Sequence, residues 1–191
     1  PRTFSSAASD VYKRQGKLYS KILGKNLVET TIGKAKTDWR EIPLSKNKNT
    51  KNLGIKIEDK NQNIFTGGTA VNVGNPHTIF FVDNINNFDL EKIGPKLETS
   101  SLYPERCNIT LAKIENKKKI YVKVWERGAG LTKACGSAAC ATAFAANLNG
   151  LVGSHVDICF DLGNLSIILE HNNYIKMKGS VSEIEKIKVE L

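Results

Sequence analysis

Cys135 stands between Lys133-Ala134 and Gly136-Ser137-Ala138, where a glycine-punctuated stretch, Glu126-Arg127-Gly128-Ala129-Gly130, gives way to the almost wholly apolar run Gly136 to Leu148. That run, closed by Asn149-Gly150, predicts a helix with a C-cap signal, apolar on every side and therefore buried. The cysteine falls at the loop-to-helix junction. There the N–H groups of Gly136, Ser137 and Ala138 have no intrahelical partner, and the positive end of the helix dipole faces outward. Such a junction is a ready site for a carboxylate. It also favours the thiolate, since a helix N-terminus can lower a cysteine pKa to roughly 3.5–7.5. Gly136 is expected to let the backbone approach a ligand with no Cβ in the way. A thiol beside a carboxylate pocket suggests proton chemistry at the α-carbon of an amino acid. Without an electron-sink cofactor, that carbanion needs aimed N–H donors and a site closed to water. The plainer alternative is a structural thiol at a helix start; Gly128, Gly130, Ser137 and the Glu126-Arg127 pair favour function.

Two further segments lead into strand-like runs. Gly74-Asn75-Pro76-His77 offers a compact donor and acceptor at Asn75 and a second acid/base, or an orienting group, at His77. Pro104-Glu105-Arg106-Cys107-Asn108-Ile109 offers Asn108 as a ligand donor, with Glu105-Arg106 as a surface pair. Taken alone, each is an ordinary turn. Cys140 and Cys159 read as core positions. Four cysteines without a CxxC pair or a histidine at ligand spacing argue against a metal site, and a reducing, cytoplasmic setting fits them best.

The elements that must position these groups are mostly short strands. Leu27 to Ile32, Leu53 to Ile57, Ile64-Phe65, Ala70 to Val73, Ile79 to Val82, Ile109 to Lys113, Ile120 to Trp125, Val156 to Phe160, Leu165 to Leu169, Tyr174 to Lys178 and Ile184 to Val189 all read as β. Lys34 to Lys51 reads as a polar connection containing Pro43, and Lys117-Lys118-Lys119 as a solvated hairpin turn. One surface helix starts at the N-cap Asp89, with Phe88 and Ile93 as a hydrophobic staple, and Gly94-Pro95 is expected to interrupt it. Mostly antiparallel strands wrapping one buried helix define an α+β domain.

The 191 residues, 40% hydrophobic and 25% charged, suit a globular domain with a sizeable core. No apolar run approaches the ~20 residues of a membrane span. The net charge of +9 is nearly all lysine, scattered and not interleaved with arginine or aromatics, so it reads as surface solvation and mild attraction for anionic substrates, not as a nucleic-acid footprint.

The order GNPH, PERxNI and ERGAGxTxACGS, followed by an alanine-rich helix, resembles the diaminopimelate epimerase family from about Leu27 onward. The resemblance implies two similar α+β domains, each wrapping strands around a central helix, with a cysteine from each facing the α-carbon of diaminopimelate from opposite sides. It implies no cofactor. It places Cys135, Glu126 and His77 at the reacting centre, Gly136 and Ser137 on the reacting carboxylate, and Asn75, Asn108 and Arg127 on the distal amino-acid end. Ala138 stands where the family usually has glycine, adding a Cβ near the carboxylate turn, and Cys107 is neutral. The family's other cysteine, in a Cys-Gly-Asn-Gly setting, has no counterpart here. The expectation is therefore a fragment: residues 1–15 a tail or non-native segment, 16–31 a remnant of the N-terminal domain, 32–182 the complete C-terminal domain, and 183–191 a strand returning to the first domain. Alone it is expected to be inactive or weakly active, and a homodimer is left open for the full-length parent. The competing readings are a proline-racemase-like or phenazine-biosynthesis-like isomerase, a basic nucleic-acid-binding module, and a Cys-His hydrolase.

Overall fold

The computed structural model describes residues 18–182. Among these described residues, twelve strands and two α-helices make an α+β fold. In chain order the strands are β1 (Tyr19–Gly24), β2 (Leu27–Lys34), β3 (Ile55–Glu58), β4 (Ile64–Gly67), β5 (Thr69–Asn72), β6 (Pro76–Phe81), β7 (Asn108–Asn116), β8 (Lys119–Glu126), β9 (Gly130–Thr132), β10 (His155–Phe160), β11 (Gly163–Leu169) and β12 (Tyr174–Ser180). The helices are α1 (Leu90–Glu98) and α2 (Gly136–Leu148). Ten strands form one sheet in the order β1-β2-β12-β11-β10-β8-β7-β6-β5, with β9 added against β8, while β3 and β4 pair separately. Only β6–β7 and β8–β10 are parallel; the other ladders are antiparallel.

The sheet curls around α2, which touches β5, β6, β7, β10, β11 and β12. Nine consecutive residues of α2, Ala138 to Ala146, are buried. Small side chains permit that enclosure. Six of the nine are alanine, so the strands can close on the helix from several sides at near-crystalline density. A leucine at Ala141, which is fully buried, would overpack this core at a cost of about 1–3 kcal/mol.

A second core lies on the opposite face of β5–β8, which the expectation of strands around a single helix did not include. Period-two alternation explains it. In β6, Ile79 and Phe81 join the α2 cluster while Phe80 joins the other; in β7, Ala112 and Ile114 take the first side and Ile109 and Leu111 the second. The second core is closed by α1 and by Ile42, Leu44 and Leu53. Ile42 and Leu44 belong to the segment read above as a polar connection; only a few apolar residues punctuate it, and those are the ones it buries.

Helix α1 begins at Asp89, whose carboxylate accepts from the Lys92 N–H at 3.2 Å. Gly94-Pro95 does not interrupt it: the helix runs through Pro95 to Glu98. Gly94 is demanded by packing, because a Cβ there would stand 2.5 Å from Trp125 Cδ2. Lys117-Lys118 does form the β7–β8 turn. The β1–β2 hairpin was half legible, β2 as a strand and β1 not at all. β2 continues without a break past residues 31 and 32 and pairs with β12 along its length. The expected tail 1–15 and strand Ile184 to Val189 lie outside the described residues.

Candidate active site

Three neighbouring strands bring the motif residues to one end of the sheet. β6 and β7 run parallel with His77 opposite Asn108, and β8 returns antiparallel with Trp125 opposite Ile109. The β5–β6 turn with Asn75, the start of β7 with Asn108 and the end of β8 with Glu126 therefore lie together. β9 then leads directly into Cys135, the N-cap of α2.

At that N-terminus the first intrahelical bond runs from Ala139 N–H to Cys135 O at 3.0 Å. The N–H groups of Gly136, Ser137 and Ala138 thus lie outside the helix ladder. Cys135 Sγ lies 3.4 Å from Ser137 Oγ, and the Ala138 N–H also favours its charged form. The thiol faces polar groups, not only methyls. Its pKa is nevertheless raised, foremost by burial and further by the Glu126 carboxylate, against the Ser137 and Ala138 contacts that lower it. The expected thiolate is corrected accordingly: a residue only 8% exposed loses more from desolvation than the helix terminus returns. The resting group is a thiol.

Glu126 is anchored independently, its Oε1 accepting from Thr132 Oγ1 at 2.6 Å across the β8–β9 ladder. Asn75 donates from Nδ2 to Ser137 Oγ at 3.4 Å and faces His77 Nε2 from Oδ1 at 2.9 Å. His77 is completely buried, and burial, aided by the Arg127 charge, pushes its pKa down to about 3. It is a neutral imidazole behind Asn75.

Asn108 and Arg127 are brought near these groups but are engaged with backbone. Asn108 donates from Nδ2 to Pro76 O at 2.8 Å and accepts the Arg127 N–H at Oδ1 at 2.9 Å, which ties three motif segments together. The Arg127 guanidinium donates to Glu105 O at 2.7 Å. Glu105 and Arg106 both lie on the surface as expected, but the Arg106 guanidinium turns to Glu98 at 3.5 Å. Gly136 also packs against β12. The space a Cβ would fill is taken by Met177, whose Sδ would be 3.1 Å away, so the missing side chain accommodates β12. Ala138 is fully buried and its methyl joins the α2 core.

The other thiols are differently placed, Cys107 donating to the Asn108 carbonyl at 3.4 Å from within the second core. Cys107 and Cys140 are fully buried, with burial pushing each up to about 12. Cys159 on β10 is only half-buried, not the core position expected. Thr132 and Glu98 went unread in the sequence, because a threonine on a three-residue strand and a glutamate on a surface helix carry no signal of their own. Among the described residues no cluster of His, Cys, Asp and Glu could hold a metal ion, and no helix is long and apolar enough to cross a membrane.

A mostly antiparallel sheet curled around a buried helix is a fold shared with solved epimerase and racemase structures. The solved structure of a probable proline racemase from Agrobacterium radiobacter K84, with bound carbonate, matches 92% of this chain and 58% of its own at a TM-score of 0.58 and 8% identity, a likeness of fold alone. The family model described as diaminopimelate epimerase matches residues 69–184, and the chain belongs to that family. It is 60% identical over 176 residues to the diaminopimelate epimerase of Pelagibacter ubique (strain HTCC1062), covering 92% of this chain and 64% of the relative. It is 44% identical over 160 residues to that of Bartonella quintana (strain Toulouse), covering 81% and 53%. The chain thus spans between about half and two thirds of the length of these relatives.

Proposed function

We propose that this chain carries one of the two acid/base thiols of a cofactor-independent isomerase that interconverts LL- and meso-diaminopimelate. One observation carries the reading: the Cys135 thiol lies among the Ser137 hydroxyl, the Ala138 N–H and the Glu126 carboxylate at the start of a buried helix. As a resting thiol, Cys135 is the acid. It gives its proton to one face of the α-carbanion, and Ser137 and Ala138 stabilise the thiolate left behind. In the opposite direction that thiolate removes the α-proton. The N–H groups of Gly136 and Ser137 hold the substrate carboxylate as charge builds on it. Glu126, held by Thr132, exchanges the proton with the sulfur, while Asn75, Asn108 and Arg127 form the wall read by the distal amino-acid end. His77 acts through Asn75.

Of the other three cysteines, Cys107 and Cys140 are sealed in the two cores and Cys159 stands on β10, so we assign the opposite face of the substrate to a group beyond residues 18–182. We place it in the part of the relatives' length that this chain does not match, with 32–182 as one domain and 16–31 as the remnant of its companion, joined to that domain's sheet through the unbroken strand β2. A cytoplasmic enzyme that binds no nucleic acid completes the reading.

The test uses the full-length gene product with LL-diaminopimelate in deuterated water. Interconversion with α-deuterium incorporation is expected, and Cys135→Ala is expected to lower both at least ~1000-fold. Exchange that survives in Cys135→Ala at the parental rate would refute the role of this sulfur.

A further inference from the structure

Glu98 is a residue in the wrong place by every local rule. It is the last residue of α1, where the helix dipole disfavours an anion, and it is 6% exposed, where a carboxylate is costly unless it is paired. Its contacts explain the placement. Oε2 accepts the Trp125 indole N–H at 2.7 Å, and Oε1 accepts the Gly128 N–H at 3.0 Å and faces Arg106 Nη1 at 3.5 Å. The two neutral donors flank Glu126 and Arg127 in sequence. The cation belongs to the segment whose Glu105 carbonyl holds the Arg127 guanidinium. The turn has bonds of its own, Ala129 N–H to Glu126 O at 3.0 Å and Arg127 N–H to Asn108 Oδ1 at 2.9 Å, yet Arg127, Gly128 and Ala129 are exposed, Gly128 and Gly130 sit at φ of +76° and +84°, and Glu98 is what ties this turn to α1.

We propose that Glu98 is a positioning residue for this turn. Its carboxylate clamps the 126–128 backbone to α1, fixes where Arg127 presents its guanidinium, and so sets affinity for the charged distal end of the amino-acid substrate. The inference rests on the epimerase reading for its substrate, but not for its geometry. Glu126 has its own anchor in Thr132, so the clamp acts on binding more than on proton transfer.

The test is Glu98→Gln in the full-length gene product. A glutamine of the same shape can accept at one oxygen only, and it turns an N–H₂ group toward the second donor. KM for diaminopimelate is expected to rise about tenfold with kcat within about threefold, the size of one lost charge-assisted hydrogen bond. Amide exchange across 126–130 is expected to quicken at least ~10-fold, and the Trp125 indole proton resonance to shift. A general loss of stability would lower the melting temperature without this split. Unchanged KM, or a fall in kcat alone, overturns the proposal. If the parent protein shows no turnover, the epimerase reading fails, and the exchange measurement decides the clamp: unaltered exchange at Gly128 overturns it. Should Glu98→Gln not fold, Trp125→Phe removes one donor and leaves the carboxylate on Gly128. A KM rise of about threefold, or failing turnover an exchange rise of that size, is then expected, and no change in either overturns the clamp.

Discussion

Asn75 Nδ2 reaches Ser137 Oγ at 3.4 Å, a contact between residues 62 apart in the chain. Through it the turn that starts β6 is joined to the first turn of α2, beside the sulfur of Cys135. Asn75 is itself held from behind: its Oδ1 can only accept, so the 2.9 Å contact assigns the proton of His77 to Nε2. Nδ1 is left buried with no hydrogen-bond partner among the described residues. The imidazole therefore serves as a fixed neutral donor.

The Cys135 thiol gives the sharpest test, because its neighbours push in opposite directions. Glu126 raises its pKa and Ser137 lowers it. Glu126→Gln is expected to move the pH midpoint of Cys135 alkylation by iodoacetamide downward, and Ser137→Ala to move it upward. Peptide mass spectrometry across a pH series separates Cys135 from the other three thiols. Shifts of the same sign in both variants contradict the arrangement.

His77 predicts a pH dependence of stability. Its folded pKa is about 3 against an ordinary 6.5, so between those values the unfolded chain binds a proton that the folded chain refuses. The stability contributed by the neutral imidazole is complete above pH 6.5. It falls by up to about 1.4 kcal/mol per pH unit as pH drops from 6.5 toward 3. Urea midpoints measured from pH 7 to pH 4 check this. His77→Gln keeps a donor where Nε2 stands and is expected to flatten the slope; an identical slope in the variant would assign it to other groups.

Thr132 bears on the site through its hydroxyl, which donates to Glu126. Thr132→Val keeps the β-branched shape and removes that donor. The expected result is about a tenfold loss in turnover of diaminopimelate by the full-length protein, with the melting temperature moved by only a few degrees. Full activity in the variant would show that Glu126 needs no anchor.

The unbroken alanine-rich, apolar character of Gly136 to Leu148, closed by Asn149-Gly150, revealed α2 to the residue, because a run apolar on all sides has one stable destination. Cys135, Ser137, Asn75 and Glu126 were legible through their motifs for a related reason: turns and caps are local. The state of the sulfur was not. Whether a helix terminus or burial governs a thiol depends on how tightly the sheet closes, which no local spacing reports. Glu98 was hidden for the converse reason, since its partners Trp125, Gly128 and Arg106 come from distant segments. The second core escaped because Ile42 and Leu44 are isolated apolar residues in polar surroundings.

Two glycines near the site separate packing from conformation, since neither has a positive φ. At Gly94 a Cβ would meet Trp125 at 2.5–3.0 Å, against ring and Cβ atoms close to the backbone. The ring is hemmed in there, because its N–H is fixed on Glu98. Gly94→Ala is therefore expected to cost about 1–3 kcal/mol despite alanine's better helix propensity, and to disturb the indole resonance. At Gly136 the obstacle is the thioether end of Met177 at 3.1–3.3 Å, the far end of a flexible side chain that can swing aside. Gly136→Ala is expected to cost less than about 1 kcal/mol in a urea melt, and Met177→Ala in the same chain to remove that cost. If Gly136→Ala destabilises as much as Gly94→Ala, β12 is packed against the helix start more rigidly than a methionine contact allows.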